Sequence, residues 1–177
     1  MASVEFLTDR EIYRRVIIDA VPAAGVFVWL ATSDLKDLYV DKGRRMVPFL
    51  QTLSELIDRS VAVRLIHAKE PGPRFREDFD RFPNLVDGME RLLCPRVHFK
   101  IVVVDGTFAY TGSANLTGAG LGAKSDRRRN FENGFVTADP GLVEKIMAQY
   151  DEVWMGAHCA ACGRKQYCAD YRDVEQG

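Results

Sequence analysis

The run VFVWLA, residues 26–31, is apolar at every position. A strand with one wet face alternates polar and apolar residues, whereas a strand covered on both faces reads as a continuous hydrophobic run. The chain must therefore fold with layers above and below a sheet. SVAVRLIHA, residues 60–68, reads as a second strand, and FENGFVT, residues 131–137, as another. Between them the apolar period becomes helical. Thr8-Asp9-Arg10-Glu11 is a Ser/Thr-x-x-Glu capping pattern, and Ile12, Val16, Ile17 and Ala20 follow at helical spacing. That predicts a helix over 9–20. A second, over 47–58, turns Phe49, Leu50, Leu53, Leu56 and Ile57 inward. A third opens on Asp139 as N-cap and Pro140 as first residue, with Leu142, Val143, Ile146, Met147, Tyr150 and Val153 inward. Residues 74–93 leave two readings open, since Phe75, Phe79 and Phe82 favour a helix that Pro83 and Gly88 limit. Alternating strands and helices predict an α/β domain, a mixed β-sheet flanked by helices.

The stretch VHFKIVVVDG, residues 97–106, carries two charged side chains inside an apolar strand pattern. Alternation puts Val97, Phe99, Ile101 and Val103 on one face and His98, Lys100, Val102 and Val104 on the other. Asp105-Gly106 is a hairpin signal that returns the chain through TFAYTG. The loop that follows, TGSANLTGAG, offers backbone N–H groups, the Ser113 hydroxyl and the Asn115 amide. With His98 and Lys100 these either make a pocket suited to a phosphate or are chance neighbours on a solvated sheet face.

His98-x-Lys100-x4-Asp105-Gly106, then Gly112-Ser113-x-Asn115, then Asn130-x-Glu132, resembles the HKD motif of the phospholipase D superfamily. The resemblance covers residues 97–136 in order and spacing, and implies a phospholipase D-like fold with one domain per chain. It implies that His98 is the nucleophile of a two-step hydrolysis through a phosphohistidine. Lys100 and Asn115 then hold the non-bridging oxygens, with Ser113 adding a hydrogen bond. Glu132 accepts from the other ring nitrogen of His98 and fixes its tautomer, while Asp105 is chiefly structural. No catalytic metal is implied. The mechanism needs a second histidine, yet His67 and His158 are the only others and neither lies in a His-x-Lys pair. His67 ends a hydrophobic strand, the place of a structural histidine. Short single-motif relatives resolve this by homodimerising, so that a two-fold axis supplies both histidines.

The superfamily resemblance leaves the phosphodiester open. Net charge is -1 and pI about 6.3, so attraction to nucleic acid has to be local. Lys124, Arg127, Arg128 and Arg129 lie between the Gly/Ser/Asn loop and Glu132, where they could grip a polynucleotide backbone or form a solvated loop. There is no apolar signal core and no run of ~18 apolar residues, so the sequence predicts no membrane span and a cytoplasmic location. The expectation is an endonuclease. The alternatives are a phospholipid or small-molecule phosphodiesterase and a non-catalytic nucleic-acid-binding module.

Three of the four cysteines crowd the end of the chain, as Cys159-x2-Cys162-x5-Cys168. The fourth, Cys94, stands just before His98. Residues 1–156 thus read as the catalytic domain and 157–177 as a cysteine-rich tail packed on it. Four thiols suffice for a structural zinc site, with His158 able to replace Cys94. The spacing also resembles the iron–sulfur staple of certain DNA-processing nucleases, so a [4Fe-4S] cluster stands as the alternative, with free thiols or a disulfide after it.

Overall fold

The computed structural model describes residues 4–36, 38–43, 45–121, 123, 125 and 127–171. A seven-stranded mixed sheet forms its centre, built from β1 (Val4–Thr8), β2 (Phe27–Thr32), β5 (Ala62–His67), β6 (Met89–Leu93), β7 (Lys100–Val104), β8 (Phe108–Gly112) and β9 (Asn133–Thr137). Their order is β1-β9-β8-β7-β2-β5-β6. The strands β2, β5 and β6 run parallel, as crossover helices require, and the other neighbours pair antiparallel. Strands β3 (Tyr39–Asp41) and β4 (Met46–Pro48) form a separate small hairpin.

Both faces of the sheet are covered, as the continuous apolar runs require. On one side lie α1 (Arg10–Ile12), its continuation Tyr13–Ala20, and α2 (Phe49–Asp58), which meet Val28, Leu30, Leu65, Val102 and Val104. The other side is closed by α5 (Pro140–Trp154), whose Val143 and Tyr150 pack on Ala31, Ile66, Ile101 and Val103. Strand β7 thus divides its side chains between two cores in the alternation read from the sequence. Two short helices, α3 (Pro73–Phe79) and α4 (Asn84–Gly88), fill the ambiguous region and lead straight into β6. Among the described residues no helix is long and apolar enough to cross a membrane.

The helix ends show the local chemistry. In α5 the Asp139 carboxylate accepts from the Leu142 N–H at 2.9 Å, and Pro140 opens the first turn. Its inward face is narrower than predicted: Leu142 is exposed, and only Val143 and Tyr150 are fully buried. The first helix begins at Arg10 rather than Asp9, and Tyr13–Ala20 is wound as a π-helix, so the Val21 N–H reaches back to the Val16 carbonyl. The capping pattern is half realised. Glu11 reaches back to the Thr8 N–H at 2.9 Å, while the Thr8 hydroxyl donates to the same carboxylate instead of accepting from the backbone.

Asp105 fixes the hairpin between β7 and β8 to the start of β2. Its carboxylate accepts from the N–H groups of Gly25, Val26 and Phe27, each at 2.8 Å, and its φ of 52° turns the chain. These three bonds tie the turn to the neighbouring strand. Burial pushes its pKa up, but the three N–H donors pull harder, and the net value lies below the ordinary 3.8. A depressed folded pKa stabilises the fold above the unfolded value and is lost as pH falls through the folded one. Asp105→Ala should therefore cost about 1–3 kcal/mol near neutrality. The gap from the parent in urea melts should shrink as pH drops below 3.8.

Candidate active site

Four strand ends meet at one edge of the sheet. The register sets Lys100 at the start of β7 against Gly112 at the end of β8, and Gly112 against Gly134 near the start of β9. Thr32, the last residue of β2, falls just beyond the Ala31–Ile101 pair. The motif residues are thus gathered by backbone pairing, although they span residues 98–132 in the chain.

His98 does not lie within the strand, as the alternation suggested. The strand begins at Lys100, and His98 with Phe99 forms its lead-in, where the His98 side chain is exposed and its imidazole has no hydrogen-bond partner among the described residues. Lys100 is 6% exposed and donates from Nζ to the His98 carbonyl at 2.6 Å. That bond holds the lead-in against the strand. Burial pushes the Lys100 pKa down, and the neighbouring Glu132 carboxylate pulls it partly back.

The Glu132 carboxylate is gripped from two sides, by the Ser113 hydroxyl on one oxygen and by Asn130 Nδ2 at 3.0 Å on the other. The predicted bond from Glu132 to the ring of His98 is not made within the chain; its two oxygens accept from Ser113 and Asn130 and keep lone pairs for a further donor. Ser113 in turn binds the β9 backbone, donating its N–H to the Asn133 carbonyl at 2.9 Å and accepting the Asn133 N–H at 3.1 Å on its hydroxyl.

Asn115 is oriented by the end of β2. Its Oδ1 lies 3.1 Å from the Thr32 hydroxyl, 2.8 Å from the Ser33 hydroxyl and 3.2 Å from the Asp34 N–H. A backbone N–H can only donate, which identifies that atom as the amide oxygen and places Nδ2 on the opposite arm. Thr32, Ser33 and Asp34 carry no motif signal in the sequence, and only the β2–β7 pairing reveals them.

Asp9 was likewise not anticipated. It takes a φ of 49°, accepts the Glu132 N–H on Oδ1 at 2.9 Å, and donates its own N–H to the Glu132 carbonyl at 3.0 Å. Arg129 completes the group with an ion pair to Asp9 at 2.6 Å, its side chain 17% exposed. The Glu132 N–H, and after it the Arg129 guanidinium, hold the Asp9 carboxyl below the usual range. Arg129 is thus committed to the strap behind Glu132 rather than presented to a polynucleotide. Arg127 and Arg128 are exposed, and Lys124 lies outside the described residues.

The two remaining histidines stand away from this edge chemistry. His67 is 4% exposed with Nδ1 2.7 Å from the Lys69 carbonyl, the structural histidine expected. His158 is exposed beyond α5, its Nε2 3.3 Å from the Glu152 carboxylate.

An exposed imidazole beside a buried lysine, a hydroxyl, an oriented amide and a carboxylate, all at the edge of such a sheet, defines a phospholipase D-type domain. The family model described as cardiolipin synthase, PLD-like domain, matches residues 1–154, and the chain belongs to the phospholipase D superfamily. Among solved structures it is similar to Nuc, a phospholipase D family member from Salmonella typhimurium, at 20% identity and TM-score 0.65, covering 88% of this chain and 95% of that one. NucT from Helicobacter pylori superimposes with TM-score 0.63 at 13% identity, over 88% and 97% of the two chains. The archaeal chromatin protein TrmBL2 gives 0.58 at 14% identity, over 86% of this chain and 52% of that one. Among curated proteins none matches.

Proposed function

We propose that the chain is a phosphodiester hydrolase acting on nucleic acid, an endonuclease whose site is shared between two copies. The observation that carries this reading is the gathering of His98, Lys100, Ser113, Asn115 and Glu132 at one sheet edge around a single exposed imidazole. In the first step a ring nitrogen of His98 attacks phosphorus. A P–N bond forms, the P–O bond to the leaving group breaks, and a second histidine gives its proton to the departing oxygen. In the second step that histidine takes a proton from water, the water oxygen bonds to phosphorus, and the P–N bond breaks. Lys100 and the Asn115 amide face the charge that builds on the non-bridging oxygens.

The second histidine has to come from another copy, since His67 is buried and His158 is engaged elsewhere. The same two-fold arrangement would give Glu132 a role that it lacks toward its own His98, namely orienting the imidazole of the second copy. One histidine must be neutral to attack while the other carries the proton that it donates.

Nucleic acid is favoured by the extent of the likeness to Nuc and NucT, which spans nearly the whole of both small chains, and by the exposed Arg127 and Arg128 beside the site. TrmBL2 is itself described as binding DNA. The lipid alternative draws on the description of the family model and on the similarity to phosphatidylserine synthase from Haemophilus influenzae, at TM-score 0.56 and 18% identity, over 89% of this chain and 39% of that one. Purified protein should nick supercoiled plasmid and leave phosphatidylcholine vesicles intact. Brief treatment with EDTA should leave the rate unchanged, because the attacking group is an imidazole. Turnover of the lipid alone would transfer the assignment to a phospholipase. Tight plasmid binding without cleavage would make the chain a binding module.

A further inference from the structure

We infer that Cys94, Cys159, Cys162 and Cys168 form a structural zinc site that pins the C-terminal tail to the segment carrying His98. This inference stands apart from the phosphodiesterase reading, and no step of that chemistry passes through it.

The tail is turned toward the site by the end of α5. Gly156 takes a φ of 73° and donates its N–H to the Val153 carbonyl, while the Ala157 N–H reaches the Glu152 carbonyl. This paired closure reverses the chain at the helix end. The reversed tail lies along residues 93–99. Asp170 accepts the Leu93 N–H at 2.6 Å, Arg164 donates to the Pro95 carbonyl at 2.8 Å, and Cys168 Sγ lies 3.3 Å from the Leu93 carbonyl. Every one of these partners flanks Cys94.

The other three sulfurs face one space. Cys94, Cys159 and Cys162 line one cavity of about 140 Å³, together with Val97 and Phe99. Cys159 and Cys162 sit on a tight turn closed by the Cys162 N–H on the Cys159 carbonyl, and the Arg164 N–H points at Cys162 Sγ from 3.4 Å. Backbone donors of this kind orient a ligating sulfur. Four thiolates around one centre suit zinc, which takes a closed tetrahedral set and makes no redox demand. Among the described residues no three such donors already share a bonding point, so the ion has to draw the sulfurs together across the cavity. His158 borders the same cavity with its Nε2 3.3 Å from the Glu152 carboxylate, and the tail's bonds to Leu93 and Pro95 on either side of Cys94 favour Cys94 as the fourth ligand.

The consequence is positional. Cys94 lies four residues before His98, so closing the site would stiffen the lead-in that presents the imidazole. Full-length protein purified from zinc-replete cells should carry about one zinc per chain. Exchange with cobalt(II) should produce sulfur-to-cobalt charge-transfer bands and intense tetrahedral d–d bands. Cys94→Ser should weaken the charge-transfer bands and lower zinc retention at least ~10-fold against a competing chelator. If Cys94→Ser fails to fold, Cys162→Ser and the cobalt spectrum of the unaltered protein decide the matter. Zinc below about a tenth of an equivalent with no cobalt uptake would overturn the site. So would a cobalt spectrum unchanged by loss of Cys94, or iron and sulfide in place of zinc.

Discussion

Mixing equal amounts of wild-type and His98→Ala protein, with subunits allowed to exchange, should lower phosphodiesterase activity to about one quarter of the all-wild-type value at fixed dimer concentration. Random pairing makes only that fraction of dimers intact on both sides. A mixed dimer holds one imidazole, which can attack or donate a proton but not both in a turnover. The pure His98→Ala protein should lose activity by ~10⁴-fold or more, the scale on which removal of a covalent nucleophile acts. A mixture near one half, with exchange verified by mass spectrometry, would mean that each chain carries a complete site. It would redirect attention to a second base within the chain.

Gly112→Ala should destabilise the protein by about 3 kcal/mol and misplace the site at the same time. A Cβ at Gly112 would fall on the Tyr110 hydroxyl, 2.5 Å from the Asn133 carbonyl oxygen and 2.8 Å from the Gly134 Cα. Two of those three neighbours are backbone atoms of β9, which cannot swing aside as a flexible side chain would. Gly134 faces the same crowding, with Tyr110 Cε2 2.6 Å from its ideal Cβ position. The glycine pair lets β8 and β9 close over the buried Tyr110, and that closeness is what sets Ser113 against Glu132. Urea melts should read the stability loss. A melting curve equal to the parent's would show that β9 can shift without cost.

The sheet, its two covered faces and the order of the motif residues along it were largely legible in the sequence because their signals are local. Period-2 and period-3.6 patterns, the Asp-Gly turn, and the Asp139-Pro140 helix start each act within a few residues. What escaped depends on partners far along the chain. Strand β1 is mostly exposed and owes its existence to pairing with β9, more than a hundred residues away, so nothing in Val4–Thr8 alone announces it. Residues 39–48 form a hairpin too short to show a period. In the sequence Arg129 is one more charge in a basic run, and only the fold brings Asp9, 120 residues away, beside it. The lack of a Glu132–His98 bond within one chain has the same origin. Spacing places both residues at the edge, but the direction of the carboxylate is set by Ser113 and Asn130.

The capture of the Asn115 oxygen by the end of β2 acts as a polarity filter. A free carboxamide can rotate to offer either a donor or an acceptor, and so tolerates ligands of either kind. Here Oδ1 is occupied by the Ser33 hydroxyl and the Asp34 N–H, so the arm left to face a ligand carries hydrogens only. Lys100 has no acceptor to give either. The pair therefore speaks one electrical language: it welcomes oxygens bearing lone pairs and negative charge, and a neutral group seeking an acceptor meets no reply from either residue.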